Sequence, residues 1–377
     1  MRPVDLAVVG AGPAGCTAAA TAARGGADVL LVEKATLPRH KVCGGGIPQR
    51  TRVLLPSGFS EAVSSHAVRR VALAGGWSTP LVLDAPEGTI LADVVDRSLF
   101  DAFLAEEATR AGATLQTGRA VTGAVREVDG CWRVAFSDGT DVCARAICLS
   151  DGAASPVGRL LGVPPLPMGL AIEGLVPYVD TDHAAWRDTS VFDFDAIAGG
   201  YGWIFPRADG YAVGVGSGRW HMPDIRARLA ALCAAHPQTA GRALLSVRGA
   251  ALPFFREPRA WYARDGLYLA GDAAGFCDPL TGEGIFYAVL SGQLAAKAVL
   301  SGGPEAYHRA IQRPIVDELR IAARYAWKAA HLPRFLMGFL MGRKRFRTYA
   351  ERFVRLLSGE MTYRDLYDAM HWRKWRS

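Results

Sequence analysis

No stretch of this 377-residue sequence reaches the roughly 18 uninterrupted apolar positions of a spanning helix, so it offers no anchor of that kind. No secretory leader is expected, because Leu6 to Val9 already reads as the first strand of a globular fold. Cysteine is sparse. Its seven residues (Cys16, Cys43, Cys131, Cys143, Cys148, Cys233 and Cys277) are odd in number and contain no CxxC pair. That pattern excludes a zinc ribbon and predicts reduced thiols in a cytoplasmic protein. Neither internal repeats nor low-complexity linkers interrupt the chain. Acid is scarce at one end: residues 320–377 hold 14 Lys+Arg against 4 Asp+Glu. That excess is larger than the whole-chain charge of +7, so the body before it is weakly acidic.

What is abundant is apolar residues, at 50%, with 21% charged, the balance of an α/β protein with a large core. Glycine, at 42 residues, is concentrated informatively. Asp5 to Val9 is a short apolar run suited to a buried parallel strand, followed by Gly10-Ala11-Gly12-Pro13-Ala14-Gly15. Gly10 permits a tight turn, Gly12 lets the backbone approach a pyrophosphate, and Gly15 lets the next helix pack against the sheet. That helix is rich in alanine and is closed by Gly25-Gly26. Its N-terminus presents free N–H groups to phosphate. Val29 to Val32 is the second strand, and Glu33 at its end is placed to accept hydrogen bonds from an adenosine ribose. An acid there disfavours a 2′-phosphate, which points to FAD or NAD rather than NADP.

Two later segments narrow the choice to FAD. Asp151-Gly152 follows a strand over 144–149. Leu267 to Ala270 is a strand ending in Gly271-Asp272-Ala273-Ala274, where Asp272 would take ribitol hydroxyls. Pro279 to Ile285 is a glycine-containing turn feeding a helix whose N-terminus can face the flavin pyrimidine and favour negative charge there. Arg97, just ahead of a helix bearing Phe100, Phe103, Leu104 and Ala108 on one face, would contact the flavin phosphate or ribitol.

Between these segments, 121–149 reads as a meander with an Asp138-Gly139 turn, and 170–260 as a second sheet with a helix near 224–236. The expected fold class is α/β (α+β): a Rossmann-like FAD-binding domain, an interleaved antiparallel-sheet substrate domain and a C-terminal helical region. Its expected divisions are 1–70, 91–165 and 262–320 for the flavin domain, 71–90 and 166–261 for the substrate sheet, and 321–377 for the basic helical tail.

Taken together these residues resemble the hydroxylase-type flavoproteins. Within them, Pro38-Arg39-His40-Lys41-Val42-Cys43-Gly44-Gly45-Gly46-Ile47-Pro48 and Tyr201-Gly202-Trp203-Ile204-Phe205-Pro206, with Val213-Gly214-Val215-Gly216 beyond, resemble the geranylgeranyl reductases. The similarity runs from about residue 1 to 300 and leaves the tail unmatched. It implies an enzyme saturating isolated double bonds of an isoprenoid or prenylated lipid on reduced FAD, with NADPH or a ferredoxin as electron donor. It further implies a flavin site of Gly10, Gly12, Ala14, Gly15, Glu33, Lys34, Lys41, Arg97, Ala120, Val121, Asp272, Pro279, Gly282, Gly284 and Ile285. Cys43, Gly44 and Gly46 would line the isoalloxazine. Tyr201, Trp203, Phe205 and Pro206 would wall the substrate cavity, and Cys43, Tyr201 and Trp203 would serve catalysis.

Reducing an unactivated alkene needs a hydride, a proton and a dry, orienting pocket. Aromatic walls steady partial cationic character if protonation leads, and Cys43 could pack at the ring or relay the proton. The rival readings are a flavin monooxygenase or halogenase of the same fold, or a non-catalytic flavin or lipid carrier. Aromatic hydroxylases have His where Gly275 stands, and halogenases have Trp where Tyr201 stands and Ile-Pro where Phe205-Pro206 stands. The tail leaves two compatible readings open. Its interleaved apolar and basic stretch from His331 to Arg347 suits an anionic surface at the inner face of a membrane. It equally suits a helical cap with its apolar face on the body. No motif supports nucleic-acid binding.

Overall fold

The computed structural model describes residues 2–75, 80–331 and 344–371. At its centre Val4–Val9 is hydrogen-bonded in parallel to Asp141–Leu149 on one side and Val29–Val32 on the other. Leu267–Leu269 and Thr114–Gln116 extend the parallel order outwards. Leu6, Val8, Leu31, Ile147 and Leu149 are fully buried. Both faces of this sheet are covered, which is why its strands read as unbroken apolar runs rather than alternations. The helix Pro13–Arg24 packs on it through alanines, and the helix Ile285–Leu300 packs on that helix in turn, with Gly292 against the Ala14 carbonyl.

Asp141–Leu149 also pairs with Trp132–Phe136, and that strand with Val121–Arg126, forming the expected meander. Here one expectation fails. Cys131 and Cys143 are joined by a disulfide, with Cα atoms 6.0 Å apart, so the seven cysteines are not all reduced. Pairing of Arg133 with Cys143 brings Cys131 beside it across the two strands, 12 positions away in sequence. A search for CxxC pairs cannot see such a cross-strand neighbour. The other five cysteines are free.

The second sheet has seven strands in the order Leu245–Leu252, Gly169–Pro177, Gly210–Ser217, Gly200–Pro206, Thr189–Asp193, Arg70–Ala74, Leu81–Asp84. All neighbours are antiparallel except Thr189–Asp193 with Arg70–Ala74. Strand alternation splits its residues between two faces. Ile172, Ile204, Val213 and Val215 cluster with Leu229 and Leu232 of the helix Ile225–Ala235. Ala171, Phe192, Tyr201, Trp203, Phe205 and Gly216 face the other way, into a large cavity shared with the flavin-type half. A three-stranded sheet of Gly46–Pro48, Ala92–Val94 and His66–Val68 joins the two halves.

The tail folds back as helices. Ala350 and Val354 of Lys344–Ser358 are buried against Val71, Leu73, Leu83 and Phe192, and Phe353 meets Phe192 edge-on at 6.2 Å. That is the packing expected of a helical cap. The interleaved stretch from His331 to Arg347 falls almost wholly outside the described residues. Among the described residues no helix is long and apolar enough to cross a membrane.

Candidate active site

Gly10 has φ +98°, and a side chain there would strike the Ser150 carbonyl at 2.6 Å. Only glycine makes this turn at low cost. The turn delivers the chain to Gly12, which caps the helix Pro13–Arg24 without any side-chain hydrogen bond. The first-turn N–H groups therefore face the cavity that Gly10, Gly12 and Ala14 line. Gly15 is the exception among the predicted flavin contacts. It does not line the cavity but lies against the Gly10 carbonyl, where a Cβ would sit 1.9 Å from the oxygen. Its role is close packing of helix on turn.

Glu33 lines the cavity at the end of the second strand, beside Lys34. Its Oε2 accepts the Ala11 N–H at 2.9 Å and its Oε1 the Ala35 N–H at 3.1 Å. Arg39 bridges Glu33 at 3.4 Å and Asp101 at 3.0 Å. Asp101 in turn holds both Nε and Nη2 of Arg97, at 2.8 and 2.9 Å. A line of alternating charge thus runs from Glu33 through Arg39 and Asp101 to Arg97, which lines the cavity as Cys43 does. Burial works against the Arg97 charge, but the paired Asp101 carboxylate overcomes it and keeps the guanidinium firmly protonated.

The Asp151 carboxylate accepts Ser155 Oγ at 2.7 Å and the Val157 N–H at 3.0 Å, so it ties its own turn. Asp151 and Gly152 still border the cavity, along with Ala120 and Val121.

The third segment is held from several directions. Asp272 lines the cavity with Oδ1 3.5 Å from where a Cβ on Gly284 would lie. Gly284 caps Ile285–Leu300, again with no side-chain hydrogen bond. Pro279, Gly282, Gly284 and Ile285 all face the cavity. The turn before them is built on Asp278, fully buried, whose Oδ1 accepts the N–H groups of Leu280 at 2.8 Å and Thr281 at 3.1 Å. Its Oδ2 accepts Tyr363 Oη at 2.7 Å from the C-terminal helix Tyr363–His371. Glu283 is paired with Arg50, whose guanidinium lies 4.3 Å from the Phe286 ring centroid.

Opposite stands the aromatic wall. Tyr201, Trp203 and Phe205 project into the cavity with Phe192 beside them, 5.1 Å from Phe205 ring to ring. Pro206, predicted with them, does not line the cavity: the period-two alternation of the strand puts it on the opposite, buried face. Tyr201 donates its hydroxyl hydrogen to the Thr281 carbonyl, linking wall to turn, and burial raises its ionisation well above the ordinary phenol range. The Trp203 indole lies over Gly214, with room made by the absent side chain. Its Nε1 donates to Glu173 Oε2 at 3.0 Å. On the near side, Gly44 of the Cys43–Gly46 loop stands so near that a Cβ there would lie 2.9 Å from Phe205 Cδ2 and 3.1 Å from Trp203 Nε1.

Lys41, Cys43, Gly44, Gly46 and Arg97 complete the lining of a cavity of about 1230 Å³. Drug-sized ligands fill roughly 300–1,000 Å³, so this volume suits a large cofactor with a second molecule. Two uncapped helix N-termini, a strand-end acid and an aromatic floor fit a flavin dinucleotide. Among the described residues no group of three or more His, Cys, Asp or Glu is arranged for a metal. Sequence reading missed Glu173, Phe192, the Arg50–Glu283 pair and the Tyr363–Asp278 bond. Only Glu173 left a signal, as a lone acid inside the apolar strand Gly169–Pro177.

A family model described as "FAD binding domain" matches residues 3–194. Over 366 residues the chain is 31% identical to a menaquinone reductase from Mycolicibacterium smegmatis, covering 88% of this chain and 86% of the relative. It is 32% identical over 309 residues to a digeranylgeranylglycerophospholipid reductase from Methanosphaerula palustris, covering 78% and 76%. The solved structure of a geranylgeranyl bacteriochlorophyll reductase-like protein from Thermoplasma acidophilum superposes with a TM-score of 0.80. That match is 24% identical and covers 94% of this chain and 91% of the other, a likeness of fold.

Proposed function

The chain belongs to the geranylgeranyl reductase family of FAD-dependent oxidoreductases, and on that premise we propose that it saturates isolated double bonds of a polyprenyl chain carried by a prenylated lipid. The observation that carries the reading is the cavity itself, with two uncapped helix N-termini on one side and an apolar aromatic floor on the other. Gly10, Gly12 and Ala14 would hold the FAD pyrophosphate and Glu33 the ribose, with Lys34, Ala120 and Val121 around the adenosine end. Asp272 would take the ribitol, and Pro279, Gly282, Gly284 and Ile285 the pyrimidine edge. Arg97, Lys41, Cys43, Gly44 and Gly46 would border the ring.

Reduced FAD supplies a hydride when bound. The residues supply the rest. Tyr201, Trp203, Phe205 and Phe192 bury the chain, exclude water and steady positive character at the alkene. Cys43, half-buried and lining the cavity with Arg97, is the side chain we assign to proton relay. Tyr201 holds the Thr281 turn, since its hydroxyl hydrogen is already given to that carbonyl. The electron donor in this reading is NADPH or a ferredoxin, and peripheral contact of the tail with an anionic membrane is tested by liposome binding with and without residues 331–377.

The test is anaerobic product analysis. Protein reduced with dithionite and offered geranylgeranyl substrates with different head groups should add two hydrogens per saturated bond. Oxygen consumption stimulated by substrate, with a hydroxylated or halogenated product, would overturn the reading.

A further inference from the structure

The substrate half of the cavity is apolar almost throughout. Ala171, Phe192, Trp203, Phe205, Ala250 and Leu252 all face it. Among the described residues, the second sheet and its loops add only two charged side chains, Arg219 and Arg256. Both stand at one end of the sheet. Arg219 follows the strand Gly210–Ser217 and Arg256 follows Leu245–Leu252. Ser217 is the register partner of Gly200 and of Leu170, and Leu252 is that of Gly169, so the two strand ends share an edge.

Three hydrogen bonds bring the two arginines together. Arg256 Nη2 donates to the Gly218 carbonyl at 3.1 Å, which sets its guanidinium against the peptide link entering Arg219. Ser217 Oγ accepts the Arg219 backbone N–H at 3.2 Å and donates to the Ala198 carbonyl at 2.8 Å. From that fixed turn the Arg219 side chain passes over Gly199, its Nε 3.5 Å from where a Cβ there would lie.

The cavity's other arginines are already committed. Arg39 holds Glu33 and Asp101, Arg97 holds Asp101, and Arg119 holds Asp138. Among the described residues neither Arg219 nor Arg256 is paired with a carboxylate. Both are exposed, so no internal acid is needed to offset burial of their charge. A guanidinium fork matches phosphate oxygens two at a time. An apolar compartment with such a pair at one end complements a long hydrocarbon with an anionic head.

We propose that Arg219 and Arg256 are the head-group site, taking the phosphate or diphosphate of a prenyl lipid whose chain runs along the aromatic wall, an assignment that rests on the reading of this cavity as the site of prenyl reduction. A neutral quinone head would leave both guanidinium groups without a partner.

The experiment uses FAD-loaded protein, so that the pyrophosphate cradle is filled, with dithionite as reductant in place of any nucleotide. Wild type, Arg219→Gln, Arg256→Gln and the double variant are each offered geranylgeranyl diphosphate and geranylgeraniol, the same chain without charge. Each single change should lower the ratio of kcat/KM for the diphosphate to that for the alcohol about tenfold, chiefly through KM. That is the low end of the range for hydrogen bonds to charged groups, since both side chains are exposed. Arg219→Lys and Arg256→Lys, which keep the charge and lose the fork, should recover part of the ratio. A second readout needs no turnover. Oxidised holoenzyme binds without reducing, and flavin fluorescence should report about tenfold weaker binding of the diphosphate to each Gln variant.

Equal ratios in wild type and the double variant would overturn the proposal. So would a loss that appears only when NADPH replaces dithionite, because the arginines would then serve the donor's phosphates. Arginine-dependent binding of the diphosphate to oxidised enzyme, with no reduced product from any prenyl substrate, would support the anion site and refute the prenyl reading instead.

Discussion

Adding one methyl group at Gly214 should disable the aromatic wall while leaving the flavin cleft intact. A Cβ at that position would lie 2.2 Å from Trp203 Cζ2 and 2.5 Å from Cε2. Carbon atoms pack best at about 3.5–4.0 Å, so the overlap exceeds an ångström. The indole can give way only into the cavity that it lines, because it is 8% exposed, Gly44 stands beside its nitrogen, and that nitrogen is committed to Glu173. Overpacking of this kind costs about 1–3 kcal/mol, here with loss of the Glu173 hydrogen bond as the indole turns.

Gly216→Ala is the control. It is one pleat along, where a Cβ would stand 3.3 Å from Trp203 Cζ3, a contact relieved by a few tenths of an ångström. Alanine in a strand also gains roughly 0.5–1 kcal/mol over glycine, so that variant should be near neutral. Thermal unfolding of the two flavin-loaded variants should differ by about 2–6 °C, and anaerobic prenyl turnover should fall in Gly214→Ala alone. Equal stability and equal turnover in the two variants would refute the placement of Trp203 across the Gly210–Ser217 strand.

Trp203→Ala and Tyr201→Ala should each impair prenyl turnover far more than FAD retention, measured by product analysis and by the flavin absorbance that survives gel filtration. The reverse order would remove these residues from the substrate wall. Tyr363→Phe deletes a hydrogen bond to the fully buried Asp278 and should cost about 1.5–3 kcal/mol, the range for bonds to charged groups. Because Asp278 organises the turn before Gly282–Ile285, the same variant should bind FAD more weakly in a fluorescence titration. Unchanged affinity would show that the C-terminal helix does not support that turn.

The flavin half was legible because its signals are local. The strand Val4–Val9, the turn at Gly10 and the helix behind it are adjacent in sequence, and each residue type answers a steric demand of its neighbours. The wall at Tyr201, Trp203 and Phe205 was legible for a similar reason, since a period-two pattern marks one face of a strand. The same periodicity, applied strictly, would have excluded Pro206. What stayed hidden depends on distant partners. Asp278 meets Tyr363 across 85 positions, Arg50 meets Glu283 across 233, and neither side chain carries a mark of its destination. Cys131 and Cys143 were misread because strand pairing, rather than a short motif, brings them together. Asp151 carried no assigned role, and its carboxylate ties the turn at Ser155 and Val157, partners that the sequence does not mark.

The chamber borrows its walls from both ends of the polypeptide. Gly10 and Gly12 stand on one side, while Leu357, Ala323 and Ala326 close another. A ribosome releases these parts in order, with early segments free to fold first. A nascent chain can therefore assemble its nucleotide cleft well before the greasy compartment beside it is sealed. Until those last helices arrive, Phe192 and the strands around it lie open to water, and that interval is when the chain is most exposed to self-association.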